Sequence, residues 1–319
     1  MIFVNMRGGL GNQLFIYAFF RWLQVNVAQS GVAYVNPAEN DHEAFQLYNY
    51  NICNQLAVMA SMDEFAALAP GYLEYCFQKS KFVDKLPSYD AAAAERNKLM
   101  KQGILLKNWK PYDETIKFNM KHYYVHGYQG YKYFDCIKRL ILDEIKYVGE
   151  LRPENVAMQH RIKESRNAVC VHVRRGDFIN RKDYVGICTK AYYNSAIDML
   201  SKAMPDSVFF VFSDGMDWVK ESITFPKSTV FVENNGEKDA VEELELMRSC
   251  KHFIIANSSF SWWAQYLGAS DASVVISPMV FESKNHKAHI ILDNWYLLDC
   301  HGSLVRKSLS NRSPRLPVR

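Results

Sequence analysis

Apolar residues fall along this chain in two patterns, short unbroken runs and longer stretches at helical spacing, and from Ala168 onward the two alternate regularly. AVCVHV is followed by TKAYYNSAIDMLSKAM, SVFFVFSD by MDWVKESI, STVFVEN by EKDAVEELELMRSC, and HFIIAN by SFSWWAQYLG, before a last run, ASVVISP. Strands that are nearly continuous in apolar residues, each followed by a helix, predict a parallel sheet covered on both faces. This half of the chain reads as a doubly wound α/β domain.

The N-terminal half begins the same way. IFVNM predicts a strand, and an almost wholly apolar helix from Leu14 to Ala28 follows, stopping at Gly31. Between them lies Arg7-Gly8-Gly9-Leu10-Gly11-Asn12, a glycine loop that places backbone N–H groups at a helix N-terminus. From 36 to 125 the pattern is less regular. DHEAFQLYNYNI suggests a loop and short strand, DAAAAERNKLMKQG a helix ended by Gly103, and ILLKNW a strand. HYYVHGYQGYKYF then predicts a strand with an aromatic loop, and FDCIKRLILDEIKYV a helix. The polar segment GELRPENVAMQHRIKESRN, with Pro153, predicts the domain junction. The expected organisation is therefore 1–160, 161–300 and a basic tail, 301–319.

In open α/β sheets ligands bind beyond the C-terminal ends of the strands, where strand order reverses. The residues that follow the apolar runs are His172, Arg174, Arg175 and Asp177, then Ser213 and Asp214, then Asn257, Ser258, Ser259 and Phe260. Two arginines suit a diphosphate, and the serines opening a helix suit an anion. Each signal also has a plain reading. Arg174 and Arg175 fit a surface ion pair with Asp177, Ser258 and Ser259 a helix cap, Asp214 a turn, and His172 a core histidine. GLGNQL lacks the third glycine of the dinucleotide fingerprint and the Lys-Ser/Thr of a P-loop, so neither follows. Its glycines serve either a tight turn or close approach of backbone to a ligand.

Composition narrows the classes. The chain has 319 residues, 49% hydrophobic and 23% charged, with a formal net charge of +4. That profile is globular and excludes a nucleic-acid binder acting through bulk charge. The seven cysteines show no metal-ligand spacing and read as reduced thiols of a cytoplasmic protein. The opening MIFVNMRGGLGNQLF does not read as a signal peptide, and LFIYAFFRWL, interrupted by Arg21, is too short to be expected to span a bilayer. The tail RKSLSNRSPRLPVR carries Arg306, Lys307, Arg312, Arg315 and Arg319 without an acidic residue. It reads as a disordered end or as a peripheral contact with an anionic membrane or a partner. Nothing in the sequence sets an oligomeric state.

RGGLGNQLFIYAFFRWL, VHVRRGDF, FSDGMDWV and HFIIANSSFSWW, in that order, resemble the bacterial α-1,2-fucosyltransferases of glycosyltransferase family 11. DHEAFQLYNYNI and GYQGYKYF add to the likeness, which runs from Met1 to about Trp295. The resemblance implies a GT-B architecture, two Rossmann-like domains facing a cleft, with GDP-β-L-fucose held mainly by the C-terminal one. It implies inverting, metal-independent transfer of fucose to O2 of a terminal β-galactoside. His172, Arg174 and Arg175 are then expected at the GDP, Ser213 and Asp214 near the nucleoside, and Asn257, Ser258, Ser259 and Phe260 over the phosphates. Gly11 and Asn12 are expected to reach the donor from across the cleft. Arg174 is the expected catalytic cation. Asp177 is either the base or a residue that orients an arginine. Tyr128, Tyr131 and Tyr133 are either acceptor contacts or a packed aromatic cluster. The alternatives are a fucosyltransferase of another linkage, α-1,6 or protein O-fucosylation, and a non-catalytic nucleotide-sugar binding protein.

Overall fold

The computed structural model describes residues 1–35, 44–52, 56–108, 118–233, 235, 239–283 and 290–307. It divides into two compact units, Met1–Gly149 and Glu150–Arg319.

Among the described residues the first unit holds a parallel sheet built from β1 (Ile2–Met6), β2 (Gly31–Val35), β3 (Leu56–Met59), β4 (Ile104–Asn108) and β5 (Tyr123–Gln129). The strand order is β3-β2-β1-β5-β4, so the direction of winding reverses between β1 and β5. Its helices are α1 (Leu10–Val27), α2 (Met62–Ala67), α3 (Pro70–Asp84), α4 (Tyr89–Met100) and α5 (Lys138–Glu144). The helix expected from Leu14 begins at Leu10 and ends on Ala28 in the left-handed conformation, φ 50°. Gly31 is not its stop but the first residue of β2, where a side chain would run into the Phe20 ring.

α1 is buried nearly all round and carries a cation into the core. Arg21 donates from Nε and Nη2 to both oxygens of Glu144 on α5, at 2.8 and 2.6 Å, and Tyr17 Oη donates to the same carboxylate at 2.7 Å. The Arg21 that interrupts the apolar run is thus matched inside the unit. Tyr131 and Tyr133 are buried, and Tyr133 packs edge-on against Phe19 and Trp22 of α1. They form the packed aromatic cluster, while the Tyr128 side chain lies outside the described residues.

The second unit contains β6 (Asn167–Val173), β7 (Ser207–Ser213), β8 (Thr229–Phe231), β9 (His252–Ile254), β10 (Val275–Pro278), β11 (Tyr296–Leu298) and β12 (Leu304–Arg306). Helices α6 (Pro153–Glu164), α7 (Lys190–Ala203), α8 (Met216–Ser222), α9 (Ala240–Arg248) and α10 (Ser259–Gly268) accompany them. The order β12-β11-β10-β9-β6-β7-β8 is parallel except for β12. Apart from β12 it is the dinucleotide-fold order, reversing between β6 and β9. Val169, Val171 and Val173 pack with Tyr192, Tyr193 and Leu200 of α7 to form the core.

Two boundaries differ from expectation. The 150–167 segment, polar enough to suggest a linker, contains α6, and this helix belongs to the second unit. Its start is tied to α9, with Arg152 N–H and Asn155 Nδ2 donating to Glu242 Oε2 at 2.9 and 2.7 Å. The 301–319 segment is not wholly a tail, because Leu304–Arg306 pairs with β11 as an edge strand. Arg312, Arg315 and Arg319 lie outside the described residues. The described cysteines, Cys76, Cys136, Cys170, Cys188, Cys250 and Cys300, are free thiols. No described helix is long and apolar enough to cross a membrane.

Breaking the buried pair should cost more than removing it. Glu144→Ala is expected to destabilise the protein by about 3–5 kcal/mol, and an Arg21→Leu/Glu144→Leu double variant by less. Urea denaturation midpoints of the three proteins check this.

Candidate active site

β6 is buried from Ala168 to Val173 and apolar there except for His172, so the exposed side chains that can meet a ligand begin at its end. That end lies beside the end of β9, where strand order reverses, the position at which such sheets bind ligands. Arg174 emerges there and is gripped from two sides. Nη1 lies 2.8 Å from Asp214 Oδ2, and Nη2 donates to Asp177 Oδ1 at 2.8 Å. Asp214 follows β7, and its other oxygen accepts from the Arg175 backbone N–H at 2.7 Å. One carboxylate therefore fixes two consecutive residues of the neighbouring loop. Gly176 makes room for it, since a Cβ there would sit 2.5 Å from Asp214 Oδ2.

The Arg175 guanidinium lies over the Trp218 ring of α8, 3.8 Å from its centroid, a cation–π contact. Asp177 reaches a further arginine as well, with Oδ2 3.5 Å from Arg181 Nη1. Arg181 and Phe178 both pack on Tyr184.

His172 is almost fully buried, and its ring lies 5.7 Å from that of Phe260. Burial, and secondarily the Arg174 charge, push its pKa down to about 3, so the imidazole is neutral. Its Nδ1 has no hydrogen-bond partner among the described residues.

Across the switch point, Ser258 caps α10, its Oγ accepting from Phe260 N–H at 3.2 Å. Ser259 is the first residue of that helix, so backbone N–H groups and the positive end of the helix dipole open toward the strand ends. Asn257 is held by the carbonyls of Phe281 and Tyr184. Ser213 Oγ accepts from Gly215 N–H and shapes the turn that delivers Asp214.

The structure thus brings His172, Arg174, Arg175, Asp177, Ser213 and Asp214 together at the ends of β6 and β7. Asn257, Ser258, Ser259 and Phe260 stand at the adjacent end of β9. Asp214 holds the Arg174 guanidinium and the Arg175 backbone N–H. Gly11 and Asn12 open α1 in the first unit. There Gly8 adopts φ +73°, and the Asn12 side chain packs where a Cβ of residue 8 would be. Gln13, fully buried, donates to Gly8 O at 2.8 Å and braces the loop.

Three residues at the site escape the strand-end reading: Trp218, Arg181 and Glu243. Glu243 lies on α9, where its spacing is that of an ordinary surface carboxylate. Burial and the nearby Asp214 raise its pKa from 4.5 to about 7 against the opposing pull of Arg174. Only its charged surroundings mark it, and those are tertiary. Among the described residues no group of three His, Cys, Asp or Glu side chains is placed to hold a metal ion.

Two α/β units, each built on a largely parallel sheet, are of the GT-B type of fold. The fold is similar to that of the NodZ α-1,6-fucosyltransferase co-crystallized with GDP, at TM-score 0.53 and 13% identity, covering 95% of this chain and 97% of that one. The chain belongs to glycosyl transferase family 11, whose model matches residues 1–299. It is 26% identical to the O-antigen biosynthesis glycosyltransferase WbnK of Escherichia coli over 91% of this chain and 98% of the relative. It is 28% identical to an α-1,2-colitosyltransferase of Escherichia coli over 87% and 91%. A shorter match, 30% identical over 44% of this chain and 42% of the relative, is to galactoside α-(1,2)-fucosyltransferase 1 of Aotus azarae.

Glu243 gives the site a measurable signature. Its carboxyl ionises near the ordinary 4.5 when unfolded and near 7 when folded, so its contribution to stability, full below pH 4.5, is lost as pH rises to about 7. Across that window the Tm of Glu243→Gln is expected to gain steadily on the wild type, as read by thermal denaturation at half-unit steps of pH.

Proposed function

We propose that the chain transfers L-fucose from GDP-β-L-fucose to O2 of a terminal β-galactoside with inversion, and that Arg174, not a metal ion, meets the leaving diphosphate. The observation that carries the reading is Arg174 itself: a guanidinium fixed by two carboxylates at the switch point, beside a second arginine and opposite a helix N-terminus. Family membership supplies glycosyl transfer. The α-1,2 specificity named for the relatives supports the linkage, and the galactoside fucosyltransferase among them supports donor and acceptor. A colitosyl donor is the second reading, favoured by the relative named for that sugar.

In the reaction the acceptor O2 bonds to C1 of fucose from the face opposite the diphosphate. The bond from C1 to the phosphate oxygen breaks, its electron pair staying on GDP, and the acceptor proton leaves to a base. Negative charge grows on the diphosphate as the bond breaks, so cations fixed in advance favour the transition state over the bound substrate. The unpartnered Nδ1 of neutral His172 offers one further polar contact without adding charge. Asp177 has two candidate roles, base and holder of Arg174. Its contacts with Arg174 and Arg181 favour the second, because both its oxygens are turned to guanidiniums. The free thiols of the described cysteines support a cytoplasmic location.

Incubation of the protein with GDP-fucose and lactose is expected to yield fucose linked to O2 of galactose by NMR, with the rate unchanged in EDTA. Arg174→Ala is expected to fold with a near-native circular dichroism spectrum and lose on the order of 10²-fold or more in kcat. Loss of turnover in chelator, or full turnover by Arg174→Ala, would refute the cation assignment.

For Asp177→Asn, a lowered kcat is expected with the acidic limb of the kcat–pH profile in place. Disappearance of that limb would make Asp177 the base.

A further inference from the structure

At the switch point of the first sheet stands a polar cluster that the reading above leaves unused. Asn5 and Arg7 are two residues apart at the end of β1, and Tyr124 and His126 two apart on β5. Side chains two apart on a strand share a face. The strands pair with Asn5 opposite His126, which brings all four together. Arg7 Nη1 lies 3.0 Å from His126 Nε2, His126 Nδ1 3.1 Å from Tyr124 Oη, and Asn5 Nδ2 donates to Tyr124 Oη at 3.2 Å.

The protons follow from the chemistry. A guanidinium has no acceptor, so Arg7 donates and Nε2 must accept. The imidazole proton then sits on Nδ1 and is donated to Tyr124 Oη. Burial first, then the Arg7 charge, lower the His126 pKa to about 4 against a smaller opposing effect of Asp84 at the end of α3, so the ring stays neutral. His126 thus serves as a fixed acceptor that aims Arg7. Arg7 itself is exposed, and among the described residues it pairs with no carboxylate.

We propose that Arg7, aimed by His126, is a specificity contact for hydroxyl groups of the acceptor galactoside. The inference rests on the reading of the acceptor as a neutral β-galactoside. The open end of a sheet at its switch point is where a ligand is bound, and here it presents a directed fork of N–H donors with neutral imidazole, phenol and amide groups behind it. One guanidinium backed by neutral groups suits sugar hydroxyls. A diphosphate, by contrast, is met at the second sheet by two adjacent arginines and a helix N-terminus.

The test is binding of lactose and of GDP, each measured on the wild type, Arg7→Gln and Arg7→Lys by saturation-transfer NMR and calorimetry, with Tm recorded for each. Arg7→Gln is expected to weaken lactose binding about tenfold or more, leaving GDP affinity and Tm unchanged, with Arg7→Lys between the two. Equal lactose binding by wild type and Arg7→Gln would overturn the inference and leave the proposed transfer standing. A loss of GDP affinity instead would make Arg7 a nucleotide contact, and a matching fall in Tm would make it structural; either overturns it. Absence of lactose binding to the wild type would overturn the acceptor assignment and the inference together.

Discussion

The pairing of Arg174 with Asp214 and Asp177 is the constraint around which the second unit's site is arranged. A guanidinium on a loop costs side-chain entropy to hold still, and at an exposed surface a single ion pair contributes little toward that cost. Here the arginine and Asp214 are both mostly covered, and Asp214 also takes the backbone N–H of the next residue. The ends of β6 and β7 are thereby locked to each other through one carboxylate. Gly176 is part of the same device, because any larger residue would push that carboxylate away. The result is a cation whose direction is set in advance, the condition under which electrostatic stabilisation of the proposed transfer is most effective.

The same field tunes the neighbours. Arg174 adds to the burial that keeps His172 neutral, and it opposes the burial that keeps Glu243 partly protonated near neutral pH. At the site the guanidiniums thus stand beside a neutral His172 and a Glu243 that is about half ionised near pH 7. The first sheet uses a related arrangement with the roles changed. There a neutral histidine, not a carboxylate, orients the arginine among the described residues.

Much of the fold could be read from the chain, and the misreadings share a cause. β6, β7, β9 and β10 are buried on both sides and appear as unbroken apolar runs. β2 was hidden because Gly31 resembles a helix stop, although here glycine is required by the Phe20 ring packed against it. β3, α2 and α3 have exposed faces and mixed composition, so no period stood out. α6 looked like a linker because its outer surface is polar, and its attachment runs through hydrogen bonds to Glu242, which leave no pattern in sequence. β12 is a three-residue edge strand in a stretch whose basic composition suggested a tail.

By itself the sequence determined which residues stand at strand ends, because apolar runs must be buried and the polar residues that terminate them must emerge. It therefore determined that His172, Arg174, Arg175, Asp214 and Ser258 are candidates for one site. Only the tertiary structure decided that β6 and β9 lie side by side, that Asp214 grips Arg174 instead of capping a turn, and that Glu243 joins them from a helix. Strand order and contacts between distant carboxylates and guanidiniums depend on which surfaces pack together. Local propensity is blind to that, since an aspartate after a strand has the same sequence signature whether it faces water or a cation.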